Sequence, residues 1–492
     1  MNSLVDFFFL CYMSKILDFI TRQIVGAFLV IALLSFGCRS VINPVAVVVQ
    51  STQAAEKRSP EPTLMPHDST DEIYRTLNSK QSVIRFYTLM GNRPVWSNCN
   101  KLSTLGDSMV SLIKDVRYYG LLPKNYHANE IITDNTTSGS TSHWLRTDAL
   151  LTDAFLSLIT DVEHGRLQYT IDATNDSLSI SLLQHVINGY GLQKSLDKQE
   201  PHLRGYRFLK AALRFSLDTL DEEYRKPLMQ GCVNDSIPLH RKIRSIEINM
   251  ERWRWENDSL GHRFIFVNMP SFLLQVVEDD TVKLESKVIV GSINKQTPVL
   301  SSKIECFVIY PYWHVPRKIS VEEYLPKLQR DTTFISRNNF EILDRKGNLL
   351  DPDSVDWEKF TKNYFPVVLR QREGPENSLG VIKFVFDNPY AVFLHDTNSK
   401  SLFKKNVRAL SHGCIRMEKA IALAHYLATG AVEKTSKSVA RYLKQEQRHT
   451  IDLQNPIPIY VRYFTCEFKD NKFYSYSDIY GLDEDLISRL YR

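Results

Sequence analysis

The sequence predicts an α+β protein in which an N-terminal helical region precedes a mainly β region. Apolar residues repeat at three- and four-residue steps through residues 72–256, the spacing of one face of an α-helix. From residue 257 onward, short runs rich in β-branched and aromatic residues alternate with turn residues, as in β-strands. A charged segment of helical periodicity, residues 319–366, interrupts these runs. Strands with one helical insertion indicate a β-sandwich or a partly closed barrel that carries a capping subdomain over one face.

Length, charge and cysteine content limit the classes of protein to which the chain can belong. Its 492 residues favour two or three domains, and its hydrophobic fraction of 43% is typical of a globular protein. The formal net charge of +5 is small for this length and no long basic run occurs, which argues against a nucleic-acid partner. The seven cysteines show no CxxC pair and no regular spacing, so we expect neither a disulfide framework nor a metal site.

Residues 1–40 have the pattern of an export segment. Lys15 and Arg22 precede the apolar run Ile24–Cys38. A positive flank followed by about a dozen apolar residues is typical of a secretory signal or a short membrane anchor. Cys38 is a candidate for lipid attachment, and the alternatives are cleavage elsewhere and an uncleaved anchor. In each case we expect the rest of the chain to be exported.

The export segment is followed by a predicted linker and then by predicted helices. Residues 41–71 are polar and mixed in charge, and we interpret them as a flexible linker because they have too few apolar residues for a core. Within 72–256, the clearest helical run ends at Gly165, a typical C-terminal cap. The apolar stripes of this half are typical of a core, and no catalytic constellation is visible in it.

From residue 257 to residue 414, the sequence predicts mainly β-strands separated by turns. Asp279 and Asp280 are predicted to form a hairpin turn between two of the strands. An amphipathic helix is predicted after Cys414, ending at Gly430. The runs with strand character are RFIFVNMP, SFLLQVV, VKLESKVIVG, IECFVIYPYW, LGVIKFVF, YAVFLH and IPIYVRYFT.

A cysteine and a histidine in this half are candidates for nucleophilic catalysis. A thiol attacks well only as a thiolate, which needs a nearby base or a positive field. His395 ends the run AVFLH, nineteen residues before Cys414, so two neighbouring elements can bring the side chains together. By itself this pair is a weak signal, because most buried cysteines are inert.

The residues around Cys414 add possible catalytic functions. Gly413 lacks Cβ and permits a sharp turn, so that the amides of Gly413 and Cys414 can point at one spot. Two such donors form an oxyanion hole, worth about 3 kcal/mol of transition-state stabilisation per donor. A helix predicted to begin near Met417 would bring its positive N-terminal end close to the thiolate. Arg416 adds a fixed charge, either for a substrate carboxylate or for loop carbonyls.

The segment HDTNSKSLFKKNVRALSHGCIR resembles the active-site signature of the L,D-transpeptidases, the YkuD-type family. The shared pattern is a histidine, a gap, and then Ser/Thr-His-Gly-Cys followed closely by Arg or Asn. Other runs resemble the large YcbB-like branch of that family, among them MERWRW, VIVGSINKQTPVLSS and YPYWHVPRKIS, and VIRFYTLMGNRPVWS resembles its helical scaffold domain. The resemblance implies a helical scaffold domain at 72–256 and a mainly β YkuD-like catalytic domain at 257–492, with the capping insertion at about 319–366.

The resemblance also implies a reaction. Cys414 matches the family's nucleophile and His395 its general base. The other motif positions, which build the oxyanion turn and supply its basic residue, are Ser411, His412, Gly413 and Arg416. The cysteine would attack the L-centre carbonyl of diaminopimelate in a tetrapeptide stem, release D-alanine and transfer the acyl group to a second diaminopimelate amine, giving a 3→3 cross-link. Open alternatives are an L,D-carboxypeptidase, attachment of proteins to the wall, and a non-catalytic wall-binding scaffold.

The implied partners and location follow from the same resemblance. They are peptidoglycan stem peptides, carbapenem-type inhibitors, and a membrane contacted through the N-terminus, with no metal or organic cofactor. The implied location is the periplasmic face of the cell envelope, by an anchor or by a lipid on Cys38. The branch often carries a peptidoglycan-binding domain, for which residues 218–244 leave too little room. We expect His412 to be structural, because a strand end holds the His395 ring more rigidly.

Overall fold

The computed structural model describes residues 64–66, 68, 70–134, 140–167, 176–256, 260–429, 434–470 and 472–491. The predicted export segment at 1–40 and most of the predicted linker at 41–71 lie outside the described residues. Within the described ranges, no helix combines the length and the hydropathy that a membrane crossing requires. Met65–Phe468 and Phe473–Arg492 belong to one compact unit.

The N-terminal half is helical, in agreement with its apolar periodicity. Its α-helices in the described ranges are α1 (Lys80–Leu89), α2 (Thr104–Asp115), α3 (Ala128–Asp134), α4 (Thr141–His164), α5 (Asp176–His185), α6 (Leu192–Gln199), α7 (Arg204–Asp218), α8 (Glu222–Met229) and α9 (Pro238–Arg254). Shorter helical turns cover Glu72–Tyr74, Val116–Tyr119, Pro123–Tyr126 and Val186–Tyr190.

Helix α4 lies at the centre of this half, because most of its residues are buried. One of them, Asp148, binds a loop through its side chain. The Ser140 side chain caps its first turn by accepting from the His143 amide, and the predicted cap Gly165 follows its last residue. The buried Asp148 carboxylate accepts hydrogen bonds from the Val95 amide at 2.7 Å and the Ser97 hydroxyl at 2.7 Å. Buried carboxylates with several donors fix a loop firmly, since each donor would otherwise be unsatisfied.

The C-terminal half is mainly β, which confirms the α+β class. Its strands in the described ranges are β1 (Arg263–Asn268), β2 (Leu273–Glu278), β3 (Thr281–Gly291), β4 (Leu300–Ile309), β5 (Trp313–His314), β6 (Phe340–Leu343), β7 (Leu349–Leu350), β8 (Val368–Gln371), β9 (Ile382–Phe386), β10 (Leu394–His395), β11 (Ala409–Ser411), β12 (Ile415–Met417), β13 (His449–Arg462), β14 (Cys466–Lys469) and β15 (Lys472–Ser475). Outside the insertion after β4, the described helices of this half are α13 (Ala420–Thr429), α14 (Lys434–Gln445) and α15 (Leu482–Leu490).

Eight of these strands form a closed ring. Their order is β3-β12-β10-β9-β4-β13-β1-β2, and β2 pairs again with β3. The sequence left two alternatives, a β-sandwich and a partly closed barrel, and the closed ring of strands is a barrel. The predicted hairpin turn joins β2 to β3, and both of its residues, Asp279 and Asp280, have positive φ of 48° and 57°, as a type I′ turn requires. The inward side chains, which are fully buried, include Ile265, Leu274, Val290, Phe307, Phe384, Leu394, Ile415 and Ile459.

The insertion after β4 differs from the helical segment that the sequence predicted. It contains the short helices α10 (Arg317–Ile319), α11 (Leu325–Leu328) and α12 (Phe334–Arg337), but also a four-stranded sheet in the order β5-β8-β6-β7. It has a core of its own, which includes Leu328, Ile342 and Trp357. Its strands of two to four residues are too short to show a clear period of two, which explains why the sequence pattern missed them.

Helix α9 connects the helical half to the barrel. The Trp253 ring stacks on Phe464 with centroids 4.2 Å apart. The Asn249 amide donates to the Thr465 hydroxyl at 2.9 Å, and Arg252 pairs with Asp483 at 2.7 Å. These contacts mix apolar packing with buried polar bonds, so the scaffold is held to the barrel in one orientation.

Candidate active site

Two parallel strands bring the predicted nucleophile and the predicted base to one face of the sheet. Strand β10 pairs with β12, with Leu394 opposite Ile415 and His395 opposite Arg416. Leu394 and Ile415 are fully buried in the barrel core. Because side chains alternate along a strand, His395, Arg416 and the preceding Cys414 face the other side.

The Cys414 side chain is half-buried beside the chain that leads into β10. Its Sγ lies 3.9 Å from the Ala391 carbonyl oxygen. Burial raises the pKa of the Cys414 thiol, while the Phe393 amide and the charges of Lys383 and Arg416 act in the opposite direction. The raised pKa means that the resting thiol carries its proton at neutral pH.

The His395 ring is buried and has a fixed tautomer. It is 4% exposed, and its Nδ1 lies 2.5 Å from the Asp396 carbonyl oxygen. A carbonyl can only accept, so Nδ1 carries the hydrogen of the neutral ring and Nε2 carries the lone pair that can take a proton. The backbone of Leu379 also hydrogen-bonds the ring. Burial, together with the positive charges of Arg416 and Lys383, lowers the pKa of His395 to about 3. A neutral imidazole with an unprotonated Nε2 is the form that a general base requires.

These two pKa shifts predict how alkylation of Cys414 depends on pH. A raised pKa at Cys414 and a lowered pKa at His395 favour a neutral thiol beside a neutral imidazole over an ion pair. We expect the rate of Cys414 alkylation by iodoacetamide to be low at pH 7 and to rise with pH up to and beyond the ordinary thiol value of 9.0, because only the thiolate reacts. Time-resolved peptide mapping measures this rate, with the exposed Cys232 as the reference thiol. A plateau between pH 5 and pH 8 would instead indicate a preformed thiolate–imidazolium pair.

The Ser-His-Gly-Cys turn is held from inside by Ser411 and from outside by Thr297. The Ser411 hydroxyl donates to the Cys414 carbonyl at 2.6 Å and accepts from the Gly413 amide at 3.2 Å. The Thr297 hydroxyl donates to the Gly413 carbonyl at 2.8 Å, and Tyr480 accepts from the Thr297 amide at 3.2 Å. The φ of Gly413 is 109°, which disfavours any residue with a Cβ.

This arrangement changes the predicted oxyanion hole. The Gly413 amide is engaged by Ser411, so it does not point at a shared spot with the Cys414 amide. Among the described residues, the Cys414 amide has no hydrogen-bond partner, and it is the donor that the turn leaves available. Ser411 and Gly413 therefore shape the turn, and the Cys414 amide is the backbone donor that remains for an oxyanion.

The predicted helix start near Met417 is wrong. Strand β12 occupies Ile415–Met417, and helix α13 begins only at Ala420. A helix dipole acts within about one turn, so the N-terminus of α13 does not stabilise a thiolate at Cys414. The positive field at the sulfur comes instead from Lys383 and Arg416.

The His412 side chain contacts the insertion. Its Nε2 binds the Glu323 carboxylate, which also accepts from Lys295 at 2.9 Å. Burial raises the pKa of Glu323, but the hydrogen bonds of His412 and Lys295 outweigh it and the pKa is lowered. His412 thus ties the turn to the insertion, and its structural role stays a prediction.

Three residues of the site have no signal in the sequence. Thr297 and Tyr480 support the turn, and Lys383 on β9 lies directly opposite His395. Each is remote from the signature, and only the order of strands brings it near. In the described part of the chain, no cluster of three or more His, Cys, Asp or Glu has the arrangement of a metal site.

Two protein families match the chain. Residues 262–437 match the L,D-transpeptidase catalytic domain (YkuD), and residues 81–213 match a scaffold domain. Over 226 residues the chain is 39% identical to a Haemophilus influenzae protein named "Putative L,D-transpeptidase". That alignment covers 46% of this chain and 45% of the relative, so the chain spans less than half of the relative's length.

Two solved structures are also similar, at low sequence identity. One is an L,D-transpeptidase from Mycobacterium smegmatis, 13% identical, covering 41% of this chain and 58% of that chain with a TM-score of 0.20. The other is titled as the Ldtfm–avibactam carbamoyl enzyme, 10% identical, covering 47% of this chain and 64% of that chain with a TM-score of 0.18.

Proposed function

We propose that this chain, whose residues 262–437 match an L,D-transpeptidase catalytic domain and whose residues 81–213 match a scaffold domain, cross-links peptidoglycan stem peptides. The observation that carries the proposal is the pairing of β10 with β12, which sets Cys414 and a neutral His395 on one face of the sheet. A thiol and an imidazole with a free Nε2 are the two groups that nucleophilic acyl transfer needs.

In the first half-reaction, the enzyme is acylated. Cys414 Sγ attacks the L-centre carbonyl carbon of diaminopimelate while His395 Nε2 takes the thiol proton. The Cys414 amide donates to the oxyanion that forms, a contact worth about 3 kcal/mol. The C–N bond to D-alanine then breaks, His395 returns the proton to the departing amine, and a thioester remains on Cys414.

In the second half-reaction, the acyl group moves to an acceptor. The side-chain amine of a second diaminopimelate attacks the thioester, and His395 takes a proton from that amine. The C–S bond breaks, and the same proton returns to Cys414 Sγ, so the enzyme is regenerated. A thioester suits this route because it reacts with amines but survives while a second stem arrives.

The site is proposed to act outside the cytoplasm. Support comes from the positive flank and apolar run of Ile24–Cys38, which resembles an export signal or anchor. The substrate class leads to the same location, because stem peptides are cross-linked at the periplasmic face of the envelope. Lipid attachment at Cys38 and an uncleaved anchor both remain compatible with this location.

Incubation with disaccharide-tetrapeptide tests the proposed reaction. We expect mass spectrometry of the products to show a cross-linked dimer together with free D-alanine in equal amounts, because each transfer releases one leaving group. Disaccharide-tripeptide without dimer would mean that water is the acceptor and that the protein is an L,D-carboxypeptidase. No change in the substrate would favour a non-catalytic wall-binding scaffold.

A further inference from the structure

Three side chains form a row across the strands that hold the site. Lys383 on β9 lies opposite His395 on β10, which lies opposite Arg416 on β12. The next row along the same strands is fully buried in the barrel core and consists of Phe384, Leu394 and Ile415. By the alternation of strand side chains, the row of Lys383, His395 and Arg416 faces the side on which Cys414 lies.

Lys383 is held close to the nucleophile by an aromatic ring. Its Nζ lies 4.0 Å from the centroid of the Phe393 ring, and this ring lies 5.5 Å from His395. The Phe393 amide in turn hydrogen-bonds Cys414. The Lys383 ammonium is therefore fixed beside the groups that would touch a substrate and not free on the surface.

Among the described residues, the two cations of the row have no acidic partner. In the ranges that the structure describes, no carboxylate forms an ion pair with Lys383 or Arg416, whereas the nearby Glu323 and Asp396 are engaged by His412 and Lys400. The Nε of Arg416 is buried without a hydrogen-bond partner. Lys383 and Arg416 are partly buried, so each has lost part of its hydration without gaining an acidic partner, and a bound negative group would offset that loss.

We propose that Lys383 determines specificity by binding a carboxylate of the donor stem peptide next to the bond that Cys414 attacks. The inference rests on the proposed function and names a contact within that site. A donor tetrapeptide has two carboxylates near this bond, that of the terminal D-alanine and the free one on diaminopimelate. Both offer the same chemistry to an ammonium group, and amidated donors separate them.

Steady-state kinetics of Lys383→Gln on the full chain tests the proposal. We expect KM for the disaccharide-tetrapeptide to rise about tenfold to a hundredfold, with kcat within about threefold, because a charge-assisted hydrogen bond to the bound donor is lost. Lys303→Gln is the matched control, since Lys303 is an exposed lysine on the neighbouring strand β4, and its KM should not change. Thermal unfolding of both variants shows whether the fold is intact.

Two donors, each amidated at one carboxylate, identify the group that is bound. Amidation of the correct carboxylate should raise the wild-type KM and remove the difference between wild type and Lys383→Gln. A lower kcat with KM unchanged would overturn the proposal and assign Lys383 to thiolate stabilisation. The proposal would also be overturned if Lys383→Gln raised KM by the same factor for both amidated donors. Either result leaves the proposed function standing, whereas a wild type that makes no product removes both.

Discussion

Replacing Cys414 by alanine is expected to abolish both D-alanine release and dimer formation, a loss on the order of 10⁴-fold or more. The reason is that the acyl group would have no sulfur to bond, and the remaining imidazole cannot hold it as a thioester. The fold should persist, because Cys414 is half-buried on the face away from the core, and its Sγ contacts only the backbone of the neighbouring chain, at the Ala391 carbonyl 3.9 Å away and at the Phe393 amide, among the described residues. The melting temperature should change by a few degrees at most.

Intact-mass analysis with a carbapenem checks the same substitution independently of turnover. We expect wild type to gain the mass of one inhibitor and Cys414→Ala to gain none. Cys232→Ala is the matched control, since Cys232 is an exposed thiol in the helical half and its removal should leave the adduct intact. An adduct on Cys414→Ala would move the nucleophile to another residue. A wild type without an adduct and without product would favour the non-catalytic scaffold.

The helical half was readable from the sequence because its helices are long and amphipathic. The run that ends at Gly165 became the 24-residue helix α4, with the cap where the glycine predicted it. The closure of the barrel was not readable. The closure depends on β13, which pairs with both β1 and β4. Strand β13 is far from both of these strands in the sequence. No local pattern encodes which distant strands become neighbours.

The same limit applies to the site. The signature led to Cys414 and His395, since the motif carries them in a recognisable order. The order of the strands places Lys383 beside His395, and the insertion brings Glu323 to His412. Neither Lys383 nor Glu323 is near the motif in the sequence. The mistaken helix start shows the opposite error, because the three residues of β12 are too few to interrupt a helical pattern that continues into α13.

Replacing His395 by alanine is expected to lower kcat on the order of 10²-fold to 10⁴-fold, whereas His412→Ala should lower it less than tenfold. His395 is buried, neutral and free at Nε2, and without it Cys414 keeps a raised pKa and has no base to take its proton. His412 is about one-third exposed and pairs with Glu323, and exposed pairs of this kind contribute about 0–1 kcal/mol.

Single-turnover acylation by the donor measures the step in which the two histidines differ. His395→Ala should slow the appearance of the acyl-enzyme, and its residual rate should rise with pH as hydroxide replaces the missing base. Glu323→Gln is the matched control for His412→Ala, because it breaks the same contact from the side of the insertion. If Glu323→Gln and His412→Ala lose activity equally and slightly, the contact between these two residues only holds the turn. If His412→Ala loses as much as His395→Ala, the base is His412 and the tautomer argument for His395 fails.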